Sequence, residues 1–277
     1  MDNALSILAE DYPGEAFTRQ NECPICVGKS ELLHPARNIN PENQHMFEFR
    51  RCVQCDHGWI DPIPTQGLLN HLYQKGSRSV IGEWGADGLT IPEKICKRRE
   101  VDGKAGRYFE LGVGLGHLYS LFVERGWRCS GVDPGDWASR FPNVVRSLKD
   151  IPPQSSFDLL IALDVLEHVA NPVSTLQSLR ELAVPKARLY CSMPNRISLR
   201  AKRERVNWRM LRPLGHVNYY SKKSIALAMN AAGFSVRFIK VTDLYEITVP
   251  LRRDQIKPTL IEWFGLGDQL VVMAEAF

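Results

Sequence analysis

Residues 109–116 are Phe109-Glu110-Leu111-Gly112-Val113-Gly114-Leu115-Gly116, and this stretch decides the fold. A strand candidate, Arg107–Leu111, runs directly into the G-x-G-x-G loop, and a helix is predicted next over His117–Arg125. Glycines let the backbone turn tightly and approach a ligand, because no Cβ stands in the way. Free N–H groups at the helix start can bind an anionic or carboxylate part of that ligand. The stretch therefore predicts a nucleotide-like binding site at the first strand-to-helix turn.

An acid closes the next strand. Asp133 follows the predicted strand Arg128–Val132 and lies 23 residues after Glu110 (133 − 110). A carboxylate at this place can accept both hydrogen bonds of a ribose diol. The dinucleotide fingerprint also expects a small residue near Leu118, and this chain has none there. The pattern therefore favours an adenosyl ligand other than a dinucleotide.

Short apolar runs alternate with amphipathic stretches from residue 107 onward. Further strands are predicted over Val144–Val145, Phe157–Leu163, Ala187–Ser192, Ser235–Val241 and Gln269–Ala274, and further helices over Asp136–Arg140, Pro172–Ala183 and Lys222–Ala232. This alternation predicts an α/β fold with a parallel sheet wound by right-handed crossovers. A long connector without a clear full-length helix joins the last two strands, which predicts an antiparallel addition at the sheet edge.

Four ordered motifs carry a family resemblance. They are the acid and glycine loop at Glu110–Gly116, then Gly131-Val132-Asp133-Pro134, the run Phe157–Val169, and Gly215–Ser221 with Ala232-Gly233-Phe234. Together they resemble the class I S-adenosylmethionine-dependent methyltransferases over roughly residues 105–277. The resemblance implies a Rossmann-like seven-stranded methyltransferase sheet, with S-adenosylmethionine as cofactor.

The resemblance also implies site residues for the cofactor. Those lining its methionine part would be Glu110, Gly112, Gly114 and Gly116. Asp133 would hold the ribose hydroxyls, and Leu163 with Asp164 would lie beside the cofactor after the fourth strand. The adenine pocket is less defined, since Asp150 is the only local acid that follows the third strand.

Two cysteine pairs predict a metal site near the start of the chain. They are Cys23-Pro24-Ile25-Cys26 and Cys52-Val53-Gln54-Cys55, with 25 residues between them. Two C-x2-C knuckles suit tetrahedral zinc, and a closed four-thiolate site is structural rather than catalytic. Substitute ligands are available in His34, His45 and His57. The remaining cysteines, Cys96, Cys129 and Cys191, are scattered, so metal binding in a reducing compartment is favoured over disulfides.

Three units are predicted along the chain. They are a zinc-binding N-terminal module (1–64), a helical linker or lid (65–104) with helices at Gly67–Tyr73 and Pro92–Asp102, and the methyltransferase domain (105–277). The prolines of Asp61–Thr65 mark the end of the module, because they bar a helix there. The module resembles the N-terminal part of a methyltransferase subgroup that modifies sugars, polysaccharides or natural products.

Two histidines are candidates for the catalytic base. A hydroxyl acceptor needs a base with a near-neutral pKa, which favours histidine. His216 and His168 both occur in loops expected to border the cofactor, with His216 the stronger candidate. Tyr219 and Tyr220 stand near His216 and are candidates for orienting a polar acceptor, although tyrosines in such positions are more often core and rim residues.

A basic segment follows the fifth strand. Residues 196–212 carry seven Lys or Arg and one Glu, a charge of +6. Arginine suits bidentate contact with phosphate or carboxylate, so Arg203 and Arg205 are candidates for clamping an anionic acceptor. A solvated helix face is the alternative. A sugar, a sugar nucleotide or a natural-product intermediate, methylated on oxygen, is the expected small-molecule acceptor.

Composition limits the other functions. The 277 residues are 44% hydrophobic and include no uncharged apolar run of 18 residues, so a membrane-spanning helix is not expected. The expected location is the cytoplasm. Net charge is +4, made of −4 over residues 1–60 (5 basic, 9 acidic) and +8 beyond. An acidic module argues against nucleic acid as a partner, because phosphate contact needs basic side chains. An RNA base methyltransferase that docks through the zinc module is the runner-up, and a non-catalytic cofactor-binding scaffold is third.

Overall fold

A computed structural model describes residues 12–37, 46–76, 105–242 and 266–277. The predicted helix Pro92–Asp102, together with His45 and Cys96, lies outside the described residues. No helix in the described ranges is long and apolar enough to cross a bilayer.

Antiparallel strands and one helix form the N-terminal part. The elements are β1 (Phe17–Thr18), β2 (Ser30–Arg37), β3 (Met46–Cys52), β4 (Gly58–Asp61), β5 (Ile63–Pro64) and α1 (Gln66–Gly76). β3 pairs with β2 on one side and β4 on the other, while β1 pairs with β5. The helix predicted at Gly67–Tyr73 is confirmed, and it begins one residue earlier and ends three residues later.

A seven-stranded sheet forms the second part. Its strands are β6 (Arg107–Leu111), β7 (Arg128–Val132), β8 (Val144–Val145), β9 (Phe157–Leu163), β10 (Ala183–Pro194), β12 (Phe234–Thr242) and β13 (Gln269–Ala276). They lie in the order β12-β13-β10-β9-β6-β7-β8. The predicted α/β class is confirmed. The predicted antiparallel strand is present, since β13 runs antiparallel to both β10 and β12, but it lies between these two strands rather than at the sheet edge.

Side chains cap three of the next four helices, whereas the first of the four begins at Gly116 without a side-chain cap. The four helices are α2 (His117–Glu124), α3 (Pro172–Glu181), α4 (Leu199–Glu204) and α5 (Lys222–Ala231). Asn171 caps α3 by accepting from the Ser174 N–H, and Ser221 forms a capping box with Ser224 at the start of α5. The helix predicted at Asp136–Arg140 is present with the same bounds, as a 3-10 helix that ends in extended backbone at Phe141.

The core lies on both faces of the central sheet. Tyr108, Leu159 and Ile161 pack on one face toward α2, while Phe109 and Leu160 pack on the other, the face that α3 and α5 cover. All five side chains are buried. Strands covered on both faces are apolar throughout rather than alternating, which explains the continuous apolar run of β9.

The two sheets are joined through a strand of the second part. β11 (Asn218–Tyr219) pairs antiparallel with β4, with Asn218 opposite Trp59. The Ile60 N–H donates to the Val217 carbonyl at 3.1 Å, and the Arg196 guanidinium forms an ion pair with Asp56. The four-stranded sheet β11-β4-β3-β2 therefore contains strands from both the predicted zinc module and the predicted methyltransferase domain.

Candidate active site

The glycine loop connects β6 to α2 in a left-handed backbone conformation. Gly112, Gly114 and Gly116 have φ values of 79°, 53° and 78°. A Cβ at Gly116 would collide with the Phe141 ring, and one at Gly112 would collide with Val165. Both positions therefore require glycine for conformation and for packing.

Gly114 differs from its two neighbours. A Cβ placed there would meet no atom within 4 Å, so this position faces open space rather than protein. Its N–H donates to Asp133 Oδ2 at 2.7 Å. The loop thus leaves room for ligand atoms at its centre, which fits an adenosyl cofactor.

Two carboxylates border this space. Asp133 is 5% exposed and accepts from the N–H groups of Gly114 and Gly135, at 2.7 and 2.8 Å. Burial raises the pKa of Asp133, and the two N–H groups partly offset this effect. Glu110 accepts from the Tyr108 hydroxyl at 2.8 Å, and burial, with Asp133 nearby, raises its pKa to about 8. β6 and β7 therefore bring both predicted acids to the C-terminal ends of the parallel strands.

The end of β9 lies beside the same edge. Leu163 ends the strand, and Asp164 follows with φ of 51°, donating its N–H to the Ser192 carbonyl at 3.0 Å. The Asp164 carboxylate accepts from the Ser192 hydroxyl at 3.1 Å and from the Gln269 amide. Burial raises the pKa of Asp164, while these two donors lower it. The sequence analysis missed Gln269 as a neighbour of this site. Its only sequence signal is that it is a polar residue at the start of an apolar strand.

The two candidate bases lie close together, His168 in the 3-10 turn that follows β9 and His216 in the loop that precedes β11. The His168 and His216 rings are 4.7 Å apart between centroids in an edge-to-face arrangement. His168 Nδ1 is 2.8 Å from the Gly215 carbonyl, and His216 Nδ1 is 2.9 Å from the Met210 carbonyl. Burial lowers the pKa of His168 to about 4 and that of His216 well below its ordinary value. Both rings are therefore neutral at pH 7.

Two further side chains belong to this histidine pair. Glu167 is 1% exposed, and its Oε2 has no hydrogen-bond partner among the described residues. Tyr73, on α1, places its hydroxyl within hydrogen-bond reach of His168 Nδ1 and its ring edge-to-face with His168. The sequence analysis gave neither residue a role. Tyr73 is 95 residues from His168 along the chain, so no local pattern could have connected them.

Tyr219 and Tyr220 lie in the core rather than at an accessible surface. Both are fully buried. Tyr219 donates to the His216 carbonyl and Tyr220 to the Leu166 carbonyl, each at 2.8 Å. Their hydroxyl protons are therefore committed to the backbone. This placement corrects the expectation that they contact an acceptor and favours the packing interpretation.

Within the described part of the chain, some cations of the basic segment form ion pairs and others do not. Arg196 and Arg200 form ion pairs with Asp56 and Asp268. Arg203 is exposed on α4, and Arg205 lines a cavity of about 200 Å³ together with Lys202, Trp208, Phe49 and His34. Of the two predicted clamp residues, only Arg205 thus borders a concave surface in the described part of the chain. Asp150, the adenine-pocket candidate, is exposed in the 3-10 helix Leu148–Asp150.

The four predicted cysteines converge. Their Sγ atoms all lie within 4.8 Å of one another, and the Cys23–Cys55 and Cys26–Cys52 sulfurs are 3.5 Å apart. A tetrahedral site with 2.3 Å zinc–sulfur bonds has sulfur–sulfur edges of about 3.8 Å. The donor set therefore fits zinc. The His57 ring is instead buried and bonded through Nε2 to Asn218 Oδ1 at 2.9 Å.

Comparison with known proteins gives one family match. The family model described as "Methyltransferase domain" matches residues 89–237. No curated protein matches the chain.

Solved structures with the same fold are distant in sequence. A SAM-dependent methyltransferase from Thermotoga maritima is 16% identical, over 75% of this chain and 99% of that one, with a TM-score of 0.54. The Burkholderia thailandensis 1,6-didemethyltoxoflavin-N1-methyltransferase, solved with 1,6-didemethyltoxoflavin and S-adenosylhomocysteine, is 15% identical, over 88% and 99%, with a TM-score of 0.53. A chain of the Haloferax volcanii complex between the Trm112 methyltransferase activator and a methyltransferase is 15% identical, over 74% and 97%, with a TM-score of 0.55. At this identity the similarity establishes the fold.

Proposed function

Because the chain belongs to the methyltransferase-domain family, we propose that this S-adenosylmethionine-dependent methyltransferase acts on a small, polar, anionic acceptor and methylates an oxygen atom. The observation that carries the proposal is the pair of neutral histidines behind the end of β9, the strand whose C-terminal edge adjoins the glycine loop. Sugars, sugar nucleotides and natural-product intermediates are the acceptor classes in view.

The cofactor would occupy the edge formed by β6, β7 and β9. Glu110 and the three loop glycines would hold its methionine part, Asp133 its ribose hydroxyls, and Leu163 with Asp164 would lie beside it. The open space at Gly114 supports this assignment. The cofactor supplies an electrophilic methyl group on a sulfonium. The protein's task is to position the acceptor, exclude water and remove the acceptor proton.

His216 and His168 are the residues proposed to promote loss of the acceptor proton. A carbonyl only accepts hydrogen bonds, so each Nδ1 that contacts one carries the ring proton. Each neutral ring then has its lone pair on Nε2. In the proposed mechanism it is these Nε2 atoms that take the acceptor proton.

Substituting His216 with alanine tests this assignment. We expect kcat to fall by about 10²- to 10⁴-fold, the usual contribution of acid–base catalysis, while the Kd for S-adenosylhomocysteine stays within about twofold. The measurement is steady-state kinetics with an acceptor found by mass shift in a panel of sugar nucleotides. Unchanged kcat in a correctly folded variant would remove His216 from the mechanism.

Arg203 and Arg205 of the basic segment are proposed to bind the acceptor's negative charge. We expect Arg203→Ala plus Arg205→Ala to raise the acceptor KM about tenfold and to flatten its salt dependence, because two charge-assisted contacts are lost. The matched control is Arg209→Ala plus Lys222→Ala, which removes two exposed charges at positions outside the cavity lining. Equal KM values for the two double variants would reject the clamp.

Zinc is proposed at Cys23, Cys26, Cys52 and Cys55, in a structural role. Cysteines that bind a metal rather than form disulfides fit a cytoplasmic location. The alternative, an RNA base methyltransferase, predicts binding to total RNA in a gel-shift experiment that weakens steeply as salt rises. Absence of such binding at moderate salt would favour the small-molecule acceptor.

A further inference from the structure

Three side chains that are able to bind a metal ion lie together near the end of β9, separate from the four cysteines. Glu167, His168 and His216 each offer a ligand atom, and these atoms lie within 4.8 Å of one another. The 3-10 turn Leu166–His168 supplies the first two, and the loop before β11 supplies the third. Two histidines and one carboxylate form a donor set that suits Zn²⁺, Co²⁺ and Fe²⁺, since imidazole ligands prefer transition metals to Mg²⁺.

The Glu167 carboxyl group lacks a full set of hydrogen-bond partners in the described part of the chain. Its side chain is 1% exposed and one of its oxygens is buried without a hydrogen-bond partner in the described part of the chain. Its only ion-pair neighbour there is His168, whose Nε2 lies 3.9 Å from Oε1. A buried carboxylate is costly unless a cation or several donors compensate it.

The two imidazoles are already oriented as metal ligands usually are. A metal-binding histidine generally donates its second ring N–H to a carbonyl or carboxylate, which fixes the tautomer and the ring plane. His168 and His216 make this contact to the carbonyls of Gly215 and Met210. Neither side chain is sealed off, since His168 is 20% exposed and His216 is half-buried.

We propose that Glu167, His168 and His216 bind a divalent transition-metal ion at the acceptor end of the active site. Three protein ligands leave at least one coordination position open, as in catalytic rather than structural metal sites. An acceptor hydroxyl bound at that position loses its proton to solvent more readily, because the cation lowers the pKa of the hydroxyl. This last step rests on the proposed function, whereas the binding of the ion does not.

Cobalt titration of the full-length protein tests the site. The four-cysteine site is first filled with one equivalent of Zn²⁺, and Co²⁺ is then added. We expect one further equivalent to bind with weak visible bands and no thiolate charge-transfer absorption, because the second site has nitrogen and oxygen ligands only. Thiolate bands would show that cobalt had entered the cysteine site instead.

Variants assign the second equivalent to its ligands. Glu167→Gln and His216→Gln should each lower cobalt affinity at least about tenfold, and His117→Gln, at an exposed histidine that begins α2, should leave it unchanged. Because Glu167 is buried, each variant must also retain its zinc and its thermal transition. The proposal is overturned if no second equivalent binds, or if it binds equally well to both cluster variants.

Failure of this proposal is distinguishable from failure of the proposed function. Binding of S-adenosylhomocysteine is measured by calorimetry on the same preparations, with and without Co²⁺. Cofactor binding without a second metal leaves a methyltransferase in which His216 or His168 takes the proton directly. A second metal without cofactor binding leaves the metal site standing and removes the proposed function.

Discussion

Replacing Gly114 with alanine is expected to weaken binding of S-adenosylhomocysteine at least about tenfold, or about 1.4 kcal/mol. Gly114 has φ of 53° and faces open space, so the new methyl group meets no described protein atom and projects to where the cofactor is proposed to lie. Isothermal calorimetry on the purified variant measures the effect directly.

The chain contains a matched control for this change. Gly126 has φ of 81° and likewise faces open space, but it follows α2 on the far side from the loop. An L-residue at either position costs about 1–2 kcal/mol of backbone strain. We therefore expect Gly114→Ala and Gly126→Ala to lower the melting temperature similarly, with cofactor affinity lost in the first alone. Equal affinities would show that the loop does not contact the cofactor.

Replacing Cys52 with serine is expected to abolish stoichiometric zinc and to lower the melting temperature by more than about 10 °C. Binding of structural zinc supplies about 10–16 kcal/mol in small modules, and a loss of several kcal/mol shifts the melting temperature by that amount in a chain of this size. Cys52 Sγ also accepts from the N–H groups of Gln54 and Cys55, at 3.3 and 3.4 Å, so its loss loosens the second knuckle. Metal analysis and calorimetric melting measure both effects.

Cys191→Ala is the control for the cysteine variant. Cys191 is buried in β10, away from the cluster, so its removal should leave one zinc per chain and cause a smaller shift. Because β4 pairs with β11, which follows His216, we expect Cys52→Ser to weaken acceptor binding more than it weakens cofactor binding at the glycine loop. A Cys52→Ser protein that keeps its zinc and its stability would contradict the structural role.

Local patterns account for what the sequence analysis predicted well. The bounds of β6, β7, β8 and β9 match the structure to the residue, because each is an apolar run that ends at a turn signal. β10 is longer than predicted, running Ala183–Pro194, because its first residue pairs with β9 and its last two pair with β13. Convergence of the cysteines followed from the spacing within each knuckle.

Contacts between distant residues account for what it missed. Tyr73 approaches His168, and Gln269 approaches Asp164 from 105 residues away. The orphaned Glu167 oxygen depends on the packing around it, which no sequence period encodes. Tyr219 and Tyr220 show the same limit, since an aromatic pair beside a histidine suits a binding wall and a core equally well until burial is known.

The pairing of β11 with β4 sets an order of events during synthesis on the ribosome. His57 and Asn218, hydrogen-bonded at this seam, are 161 residues apart. At 5–20 residues per second, roughly 10–30 s pass between the emergence of the two partners. During that interval β4 presents an unpaired edge, the kind of edge on which nascent chains aggregate. Early binding of a metal ion by the cysteines would stabilise the fold of β2, β3 and β4 until β11 has been synthesised and can pair with β4.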